Sequence, residues 1–379
     1  MGVHVYEIEV NERTHSCEIR FDSEHCDSIH SCSHKLWISA LSGSLNTFSD
    51  SLFALILPMA LRVGGEFSFD GQISKSLHRN FDSIVKELRV FDRTFRDIDL
   101  KLDTPQQDLD VAGGLTSSFF SGGLDSVYTA KLHKSDVLVS VHGFDISYNN
   151  DVLWGLAIEK INVFASRHGA EVIALKTNVR EISNQFLSWG AVYHGAALGA
   201  IALSLPSHIR STIVPSTSAL LASKPGILGT GDSLCKLFSN MGRATITDEE
   251  KSRLSKIFEL RREPEISELR VCWENTGGKI QCGTCFKCVL TTIELLYADV
   301  SIFPEGLSKK ISVGAVLKLR PSVSQSYFLI EDYRASKELK VTSNVRLSVR
   351  VAIFWICTVS LLKGSIKKWL KTVLRPLKK

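Results

Sequence analysis

Hydrophobic and polar positions follow two different patterns in this chain, and the change falls at about residue 113. In residues 1–112 a short alternating stretch at 3–10 predicts a strand, and an apolar run at 48–61 predicts a helix. Polar and chain-breaking residues then cluster at 104–114. We therefore expect a smaller N-terminal α+β region that ends in a domain boundary.

From residue 113 onward, short apolar runs alternate with helical patterns, which predicts β-α-β units and a parallel sheet. We expect an α/β domain over residues 113–310, a connecting segment at 311–343 and a separate tail at 344–379. The predicted strands are 117–120, 137–142, 171–176 and 211–215, and the predicted helices are 126–134, 152–168, 190–205 and 289–297.

The basic residues of the chain are concentrated in the tail. Forty-five Lys and Arg against 40 Asp and Glu give a formal charge of +5, but nine of these cations and no acidic residue fall in residues 344–379. Residues 1–343 therefore hold 36 basic and 40 acidic residues, a formal charge of −4. Because nucleic-acid binding relies on basic surface, this balance argues against a nucleic acid as partner.

The tail has the pattern of a basic amphipathic helix. Lys363, Lys367, Lys371 and Arg375 recur every four residues, while Trp369 lies among the apolar residues of the other side. The apolar run before it has twelve positions, about 18 Å as a helix, which is shorter than the roughly 30 Å of a membrane core. Two interpretations stay open: peripheral contact with an anionic membrane, and docking of the apolar face on the protein itself or on a partner.

The start of the chain does not have the pattern of a secretory signal. Glu7 and Glu9 interrupt the apolar stretch that a signal peptide would need, so we expect a cytoplasmic protein. In a reducing compartment, nine cysteines indicate metal or reactive sites rather than a disulfide framework. Histidines and cysteines crowd into residues 15–34, but their spacing matches no standard metal-binding pattern, and we expect a polar surface segment there.

A glycine loop follows the first predicted strand of the α/β domain. Its sequence is Ser-Gly-Gly-Leu-Asp-Ser at 121–126, and it lies directly before a predicted helix, where α/β proteins place phosphate-binding turns. Gly122 and Gly123 allow the backbone to approach an anion closely, and Ser121 and Ser126 add hydroxyl donors. The alternative is a glycine turn with an ordinary helix cap. Neither the Walker phosphate loop nor the dinucleotide fingerprint occurs there.

This hexamer resembles the S-G-G-x-D-S motif of the PP-loop ATP pyrophosphatases. The resemblance implies an α/β domain in which a substrate oxygen attacks the α-phosphate of ATP and pyrophosphate leaves. It also implies that Ser121, Gly122, Gly123 and Ser126 hold the pyrophosphate portion, and that Asp125 organises the loop and Mg²⁺. Ser121, Asp125 and Ser126 are accordingly the expected catalytic residues.

Three further residues are candidates for the same pocket. His142 ends the second predicted strand, at the edge where ligands meet a parallel sheet, and the resemblance places adenine and ribose near it. Lys224 lies in a loop and would add a cation for the phosphates. His194 opens the alanine-rich helix. For both histidines a structural role is the alternative, and a loop lysine is often only solvated.

Four cysteines form a cluster in the second half of the chain. Cys282, Cys285 and Cys288 are separated by two-residue gaps, and Cys272 precedes them by nine intervening residues. Four thiolates at such spacing satisfy tetrahedral Zn²⁺, and an iron-sulfur cluster is the alternative. The Cys-Gly-x-Cys-x-x-Cys pattern is similar to that of the 7-cyano-7-deazaguanine synthase (QueC-like) family. Because all four ligands are cysteines, we expect a structural metal.

The two motifs together indicate an ATP-dependent enzyme that forms AMP and pyrophosphate. We expect it to adenylate a small-molecule or peptide acceptor, through a carboxylate, for amide, nitrile or related bond formation, with ATP, Mg²⁺ and Zn²⁺ as its cofactors. One alternative is a thiolation enzyme for tRNA or a small molecule. Another is a membrane-associated nucleotide-binding protein without turnover. The synthases are shorter than this chain, so the resemblance does not identify the acceptor.

Overall fold

The structure is a computed structural model, and it forms two compact units, Met1–Glu250 and Lys251–Lys379. Each unit is described by itself below. The structure describes residues 1–24, 26, 31–103, 105–111, 114–216, 231–241, 245–247, 251–275, 278–310 and 323–338. Lys224 and the tail 344–379, for which the sequence predicted a role, lie outside these residues.

In the described part of the first unit, ten strands form one sheet in the order β10-β9-β6-β7-β8-β3-β2-β1-β4-β5. The α/β class and the parallel arrangement predicted for its second half are confirmed. The strands are β1 Gly2–Val10, β2 Thr14–Asp22, β3 Ser31–Ala40, β4 Gly65–Phe69, β5 Ile98–Leu102, β6 Leu115–Phe119, β7 Val137–His142, β8 Glu171–Thr177, β9 Ile209–Pro215 and β10 Thr245–Thr247.

Strands β6 to β10 are parallel to one another. In chain order within this set their arrangement is 3-2-1-4-5, with β6 in the middle. The central positions of β7 and β8 are buried, as expected for parallel strands that have helices on both faces. Short apolar runs therefore predicted these strands well, and β7 was predicted with its observed bounds.

The N-terminal region belongs to the same sheet, which differs from the predicted separation at residue 112. Strand β3 pairs with β8 in the antiparallel direction, where Ile38 lies opposite Thr177 and Ala40 opposite Leu175. The first compact unit consequently extends to Glu250. The reason is that pairing between distant strands is a long-range contact, which the local hydrophobic pattern does not record.

The helices of the first unit cover the sheet and include a nearly fully buried one. In α1 every residue except Arg62 is buried, which explains why its sequence reads as a continuous apolar run. The predicted helix 190–205 is instead a π-helical turn, Trp189–Tyr193, followed by α6. The helices are α1 Asp50–Val63, α2 Lys75–Phe91, α3 Leu124–His133, α4 Asp151–His168, α5 Val179–Ser183 and α6 His194–Ala202, with a 3₁₀ helix at Gly231–Met241.

The described residues of the histidine- and cysteine-rich segment do not form a polar surface segment, and this prediction was wrong. His15 is fully buried, its Nδ1 is 2.9 Å from Ser51 Oγ, and its Nε2 is 2.7 Å from the carbonyl oxygen of Asn46. These partners compensate the cost of burying a polar ring. Cys26 and Cys32 form a disulfide, so the cysteines of this chain are not all thiols.

Among the described residues of the second unit, three longer helices pack against one another: α7 Arg253–Leu260, α8 Phe286–Tyr297 and α9 Val323–Glu338. Its interior holds an ion pair between Arg253 and Glu294, whose side chains are 2% and 0% exposed. The predicted helix 289–297 corresponds to α8, which begins three residues earlier. No helix among the described residues is long and apolar enough to cross a membrane.

Candidate functional site

The glycine loop lies at the carboxyl end of β6, where the strand order of the parallel set reverses. The chain passes from β6 to β7 on one side, whereas β9 pairs with β6 on the other side. At such a switch point the two connections diverge, which leaves a crevice outside the carboxyl ends of the strands. Sequence position and topology thus place residues 121–126 where ligands bind in open α/β sheets.

Hydrogen bonds within the loop fix its shape. The Ser126 hydroxyl donates to the Gly123 carbonyl oxygen at 2.9 Å and accepts from the Ser121 backbone N–H at 3.3 Å. The Ser121 hydroxyl accepts from the Gly123 N–H at 3.3 Å. Gly122 has φ = +73°, a left-handed conformation that side chains disfavour. The loop is therefore a closed turn that requires glycine at this position.

The loop leaves the start of α3 without a side-chain cap. Gly123 is the N-cap residue, and since glycine has no side chain it makes no cap bond to the first N–H groups of the helix. The first N–H groups of a helix have no intrahelical acceptor, and a bound anion satisfies them. Ser121 is exposed, whereas the Asp125 and Ser126 side chains are buried at the base of the loop. The structure thus places the predicted loop residues in one hydrogen-bonded turn before the helix.

Two hydrogen bonds with strand β7 fix the backbone of Phe120, the residue that precedes the loop. The Ser140 hydroxyl donates to the carbonyl oxygen of Phe120 at 2.5 Å, and the Phe120 N–H donates to Val139 at 2.8 Å. Since Phe120 immediately precedes the loop, these two bonds set the direction in which the backbone leaves β6. A rigid base is what a phosphate-binding turn needs for preorganisation.

His142 lies in the interior, which differs from the predicted position beside a nucleotide. Its side chain has no exposed surface, its ring stacks on Trp154 with centroids 4.7 Å apart, and its Nε2 is 2.8 Å from the carbonyl oxygen of Ser147. Burial lowers the pKa of this imidazole and favours its neutral form. His142 therefore holds the turn after β7, and in this arrangement its side chain is not available to a nucleotide.

The turn after β7 also depends on Gly143. Its φ is +115°, and a Cβ atom there would lie 1.9 Å from the carbonyl oxygen of Thr177. Only glycine allows the end of β7 to approach the end of β8 so closely.

Four side chains meet at the same edge of the sheet, and we name them the aromatic–arginine cluster: Phe144, Arg180, Trp189 and His194. Of these, only His194 was a candidate from the sequence. The Arg180 guanidinium carbon lies 5.0 Å from the Trp189 ring centroid, and the ring centroids of Phe144 and His194 lie 4.8 and 5.6 Å from that of Trp189. Arg180 Nη1 donates to the carbonyl oxygen of Phe144. The one sequence signal for Phe144 and Arg180 is that each lies shortly after a predicted strand.

The four clustered cysteines converge on one point in the second unit. Their sulfur atoms all lie within 4.8 Å of one another, and the Cys272–Cys285 and Cys282–Cys288 sulfur pairs are 3.9 Å apart. A tetrahedron with metal–sulfur bonds of about 2.3 Å has sulfur–sulfur edges of about 3.8 Å, whereas a disulfide bond is about 2.05 Å long. The cysteines therefore form a cluster that can hold a metal ion.

Hydrogen bonds among the four cysteines favour the thiolate form at some of them. Bonding with the Cys288 thiol lowers the pKa of Cys285 to about 5, and the same bond raises the pKa of Cys288. The backbone N–H of Cys285 donates to Cys282 Sγ at 3.2 Å. Because thiolates are the metal-binding form of cysteine, the donor set suits a thiophilic metal such as zinc.

A buried glutamine holds the loops around the cysteines. Gln281 accepts from the Val271 N–H at 3.1 Å, and its amide donates to the carbonyl oxygens of Leu269 and Glu305 at 2.9 and 3.2 Å. It thereby connects the segment that leads to Cys272 with the loop that carries the other three cysteines. Such outer-shell support orients metal ligands.

Comparisons with protein-family models, with curated proteins and with solved structures find no match to this chain.

Proposed function

We propose that the protein is a PP-loop-type enzyme that adenylates an acceptor with ATP, releasing pyrophosphate and forming AMP. The observation that carries this proposal is the position of the glycine loop: Ser121–Ser126 follows the central strand of a 3-2-1-4-5 parallel sheet and opens a helix with no side-chain cap. The motif and the strand order are two independent observations, because the sequence did not determine the strand order.

The loop chemistry supports binding of the departing pyrophosphate. The backbone N–H of Gly122, the Ser121 hydroxyl and the start of α3 would donate to an anion, while the bonds made by the Ser126 hydroxyl and the Gly123 N–H hold the loop in shape. Phosphoryl transfer needs positioning and charge neutralisation rather than covalent help from the protein. The Asp125 carboxyl would hold Mg²⁺, which neutralises phosphate charge when bound.

A carboxylate is the acceptor group we propose, because a carboxylate oxygen can attack the α-phosphate directly and the product is an activated acyl group. Attack by the nitrogen or sulfur donor would follow. A thiolation reaction on tRNA is less favoured, since residues 1–343 carry a formal charge of −4.

The test is a pyrophosphate-release screen of the full chain with ATP, Mg²⁺ and a panel of carboxylates, including 7-carboxy-7-deazaguanine, with AMP measured in parallel. Ser126→Ala and Asp125→Asn should lower the rate at least 100-fold, as loss of a single preorganised group does in other enzymes. Ser83→Ala, on the exposed side of α2, is the matched control and should keep the full rate. Equal rates for all variants would refute the assignment of the site.

We further propose that the cysteine cluster holds a structural Zn²⁺. The sulfur geometry fits a closed tetrahedral site with no position for substrate. Metal analysis of the purified chain should give one zinc per molecule, and Cys282→Ser should abolish it. Cys17→Ala, which removes a buried cysteine elsewhere, should keep it. Iron with visible-range absorbance instead of zinc would refute the zinc assignment and favour the thiolation reaction.

A further inference from the structure

Cys26 and Cys32 join the end of β2 to the start of β3. Cys26 lies four residues after the last residue of β2, and Cys32 is the second residue of β3. The two form a disulfide, whereas the four clustered cysteines of the second unit are thiols. The chain therefore holds cysteine in both oxidation states. In compartments where thiols stay reduced, disulfides are usually catalytic or redox-sensing.

The backbone positions both cysteines without help from the bond between them. Their Cα atoms are 5.6 Å apart, a usual separation for a disulfide. Cys32 lies opposite Phe21 in the antiparallel ladder between β2 and β3, and the N–H of Cys26 donates to the carbonyl oxygen of Ser23 at 3.1 Å. Because these backbone contacts do not depend on the S–S bond, we expect reduction to leave both cysteines near their present positions.

The two cysteines differ in their access to solvent. Cys26 is buried, with 9% of its surface exposed, whereas Cys32 is only half-buried. Thiol–disulfide exchange begins when an incoming thiolate attacks one of the two sulfur atoms, so it depends on which sulfur the thiolate can reach. Cys32 is therefore the sulfur that an external thiol attacks, and Cys26 is the leaving group.

An acceptor for the leaving thiol is already in place. Cys26 Sγ lies 3.5 Å from the carbonyl oxygen of Phe21. A disulfide sulfur carries no hydrogen and cannot donate to this oxygen, whereas the S–H group of a thiol is a donor. The contact therefore becomes a hydrogen bond only when Cys26 is reduced.

His34 provides a second acceptor, on the same face of β3 as Cys32 and two residues after it. Its ring is edge-on to that of Phe21, with centroids 5.9 Å apart, and its Nε2 is buried with no hydrogen-bond partner among the described residues. Burial lowers the pKa of this imidazole against the opposing effect of Glu181, which favours the neutral form with one acceptor nitrogen. A buried polar atom without a partner costs free energy, and a disulfide has no hydrogen to offer it. The thiol of reduced Cys32 has one.

We infer that Cys26 and Cys32 are a redox-active pair that exchanges with small thiols such as glutathione, and that His34 stabilises the reduced form. A glutathione thiolate attacks the Cys32 sulfur, the S–S bond breaks, and Cys26 leaves as a thiolate that takes up a proton. A second glutathione then attacks the glutathione sulfur of the mixed disulfide, which releases the Cys32 thiol and forms oxidised glutathione. Two protein sulfurs are reduced and two glutathione molecules are oxidised. The inference does not depend on the proposed adenylating function.

The test equilibrates the full chain in buffers that differ in the ratio [GSH]²/[GSSG] of reduced to oxidised glutathione. Free thiols are then alkylated with iodoacetamide, and the tryptic peptide 21–35 is quantified by mass spectrometry. This peptide contains only these two cysteines, so it reports on the pair alone. The pair should pass from fully oxidised to fully reduced and back, while the circular dichroism stays that of the folded chain.

Variants of His34 separate its role from the rest of the fold. His34→Phe, which removes the acceptor, should raise the ratio at half reduction about 10-fold, because the oxidised form no longer contains an unpartnered buried nitrogen. His34→Gln keeps an acceptor and should raise the ratio by a smaller factor. His78→Phe is the matched control, since His78 is exposed on α2, and it should leave the ratio unchanged.

Two results would overturn the inference. The first is a pair that stays oxidised at every ratio, or that is reduced only as the circular dichroism of the folded chain is lost, because the disulfide would then be a permanent cross-link. The second is a His34→Phe variant with the same ratio at half reduction as the unchanged protein, because the buried nitrogen would then have no part in the equilibrium.

Discussion

The ion pair between Arg253 and Glu294 is the strongest test of how the second unit is stabilised. Arg253 Nε lies 3.0 Å from one carboxylate oxygen of Glu294, its Nη2 lies 3.2 Å from the other, and Nη2 also bonds Thr291 Oγ1 at 3.1 Å. Charge centres about 4 Å apart interact by about 4 kcal/mol at an effective dielectric constant of about 20. Glu294→Gln and Arg253→Met should each reduce the free energy of unfolding by about 3–5 kcal/mol, because each leaves a buried charge without its partner.

The double variant Arg253→Met/Glu294→Leu should be much less destabilised than the sum of the single changes. Replacing a buried pair by apolar side chains removes the cost of desolvating both charges. The assay is urea unfolding followed by circular dichroism and fluorescence, with the metal concentration held constant since a bound metal stabilises the folded state.

Asp332 must be controlled in this experiment because it lies against Glu294. Burial and the nearby Glu294 raise the pKa of the Asp332 carboxyl well above its ordinary value, so that its neutral form is favoured. Without Glu294, this carboxyl would be able to ionise and replace it beside Arg253. The cycle is therefore repeated in an Asp332→Asn background. In that background, a loss of less than about 1 kcal/mol of unfolding free energy for each single change would refute the stabilising role of the ion pair. A double variant whose loss equals the sum of the two single losses would refute it as well.

Three other predictions follow from separate features. Because the pKa of Asp332 is raised on folding, its contribution to stability is complete below the ordinary pKa of about 4 and is lost as the pH rises. Asp332→Asn should therefore make the melting temperature fall less steeply with rising pH. An equally steep fall in the variant would contradict this prediction. The Cys26–Cys32 disulfide closes a seven-residue loop, so reducing it, or replacing both cysteines by serine, should lower the free energy of unfolding in urea by about 2 kcal/mol. No effect of reductant on the unchanged chain would rule this out. The membrane interpretation of the tail predicts that removing residues 344–379 abolishes co-sedimentation with anionic liposomes at low salt, whereas equal recovery with and without these residues would favour docking on the protein or a partner.

The local parts of the fold were predictable from the sequence, and the long-range parts were not. Strand β7 was predicted with its observed bounds because its apolar run is short and bounded by polar residues. Strand β2 was missed because it buries His15, a polar residue whose partners Ser51 and Asn46 lie more than 30 residues away. A pattern-based prediction takes such a residue as exposed, since the compensating hydrogen bonds are visible only in the fold.

In the candidate site, too, the local motifs were predictable and the long-range contacts were not. The glycine loop and the four cysteines are compact motifs, and the structure brings the members of each together. The burial of His142 was not predictable, because it depends on Trp154 stacking against its ring from the following helix. The aromatic–arginine cluster was not predictable either, since it depends on which strands are neighbours.

The pairing of β3 with β8 has a consequence for how the parallel strands avoid association with other chains. In a set of parallel strands the outermost one has a row of unpaired backbone groups, which is a template for aggregation. At Leu175–Thr177 that row is occupied by Ile38–Ala40, and the remaining outer strands, β5 and β10, are only five and three residues long. The N-terminal region is thus an integral edge cover of the α/β fold, which makes residues 113–250 by themselves an aggregation-prone fragment.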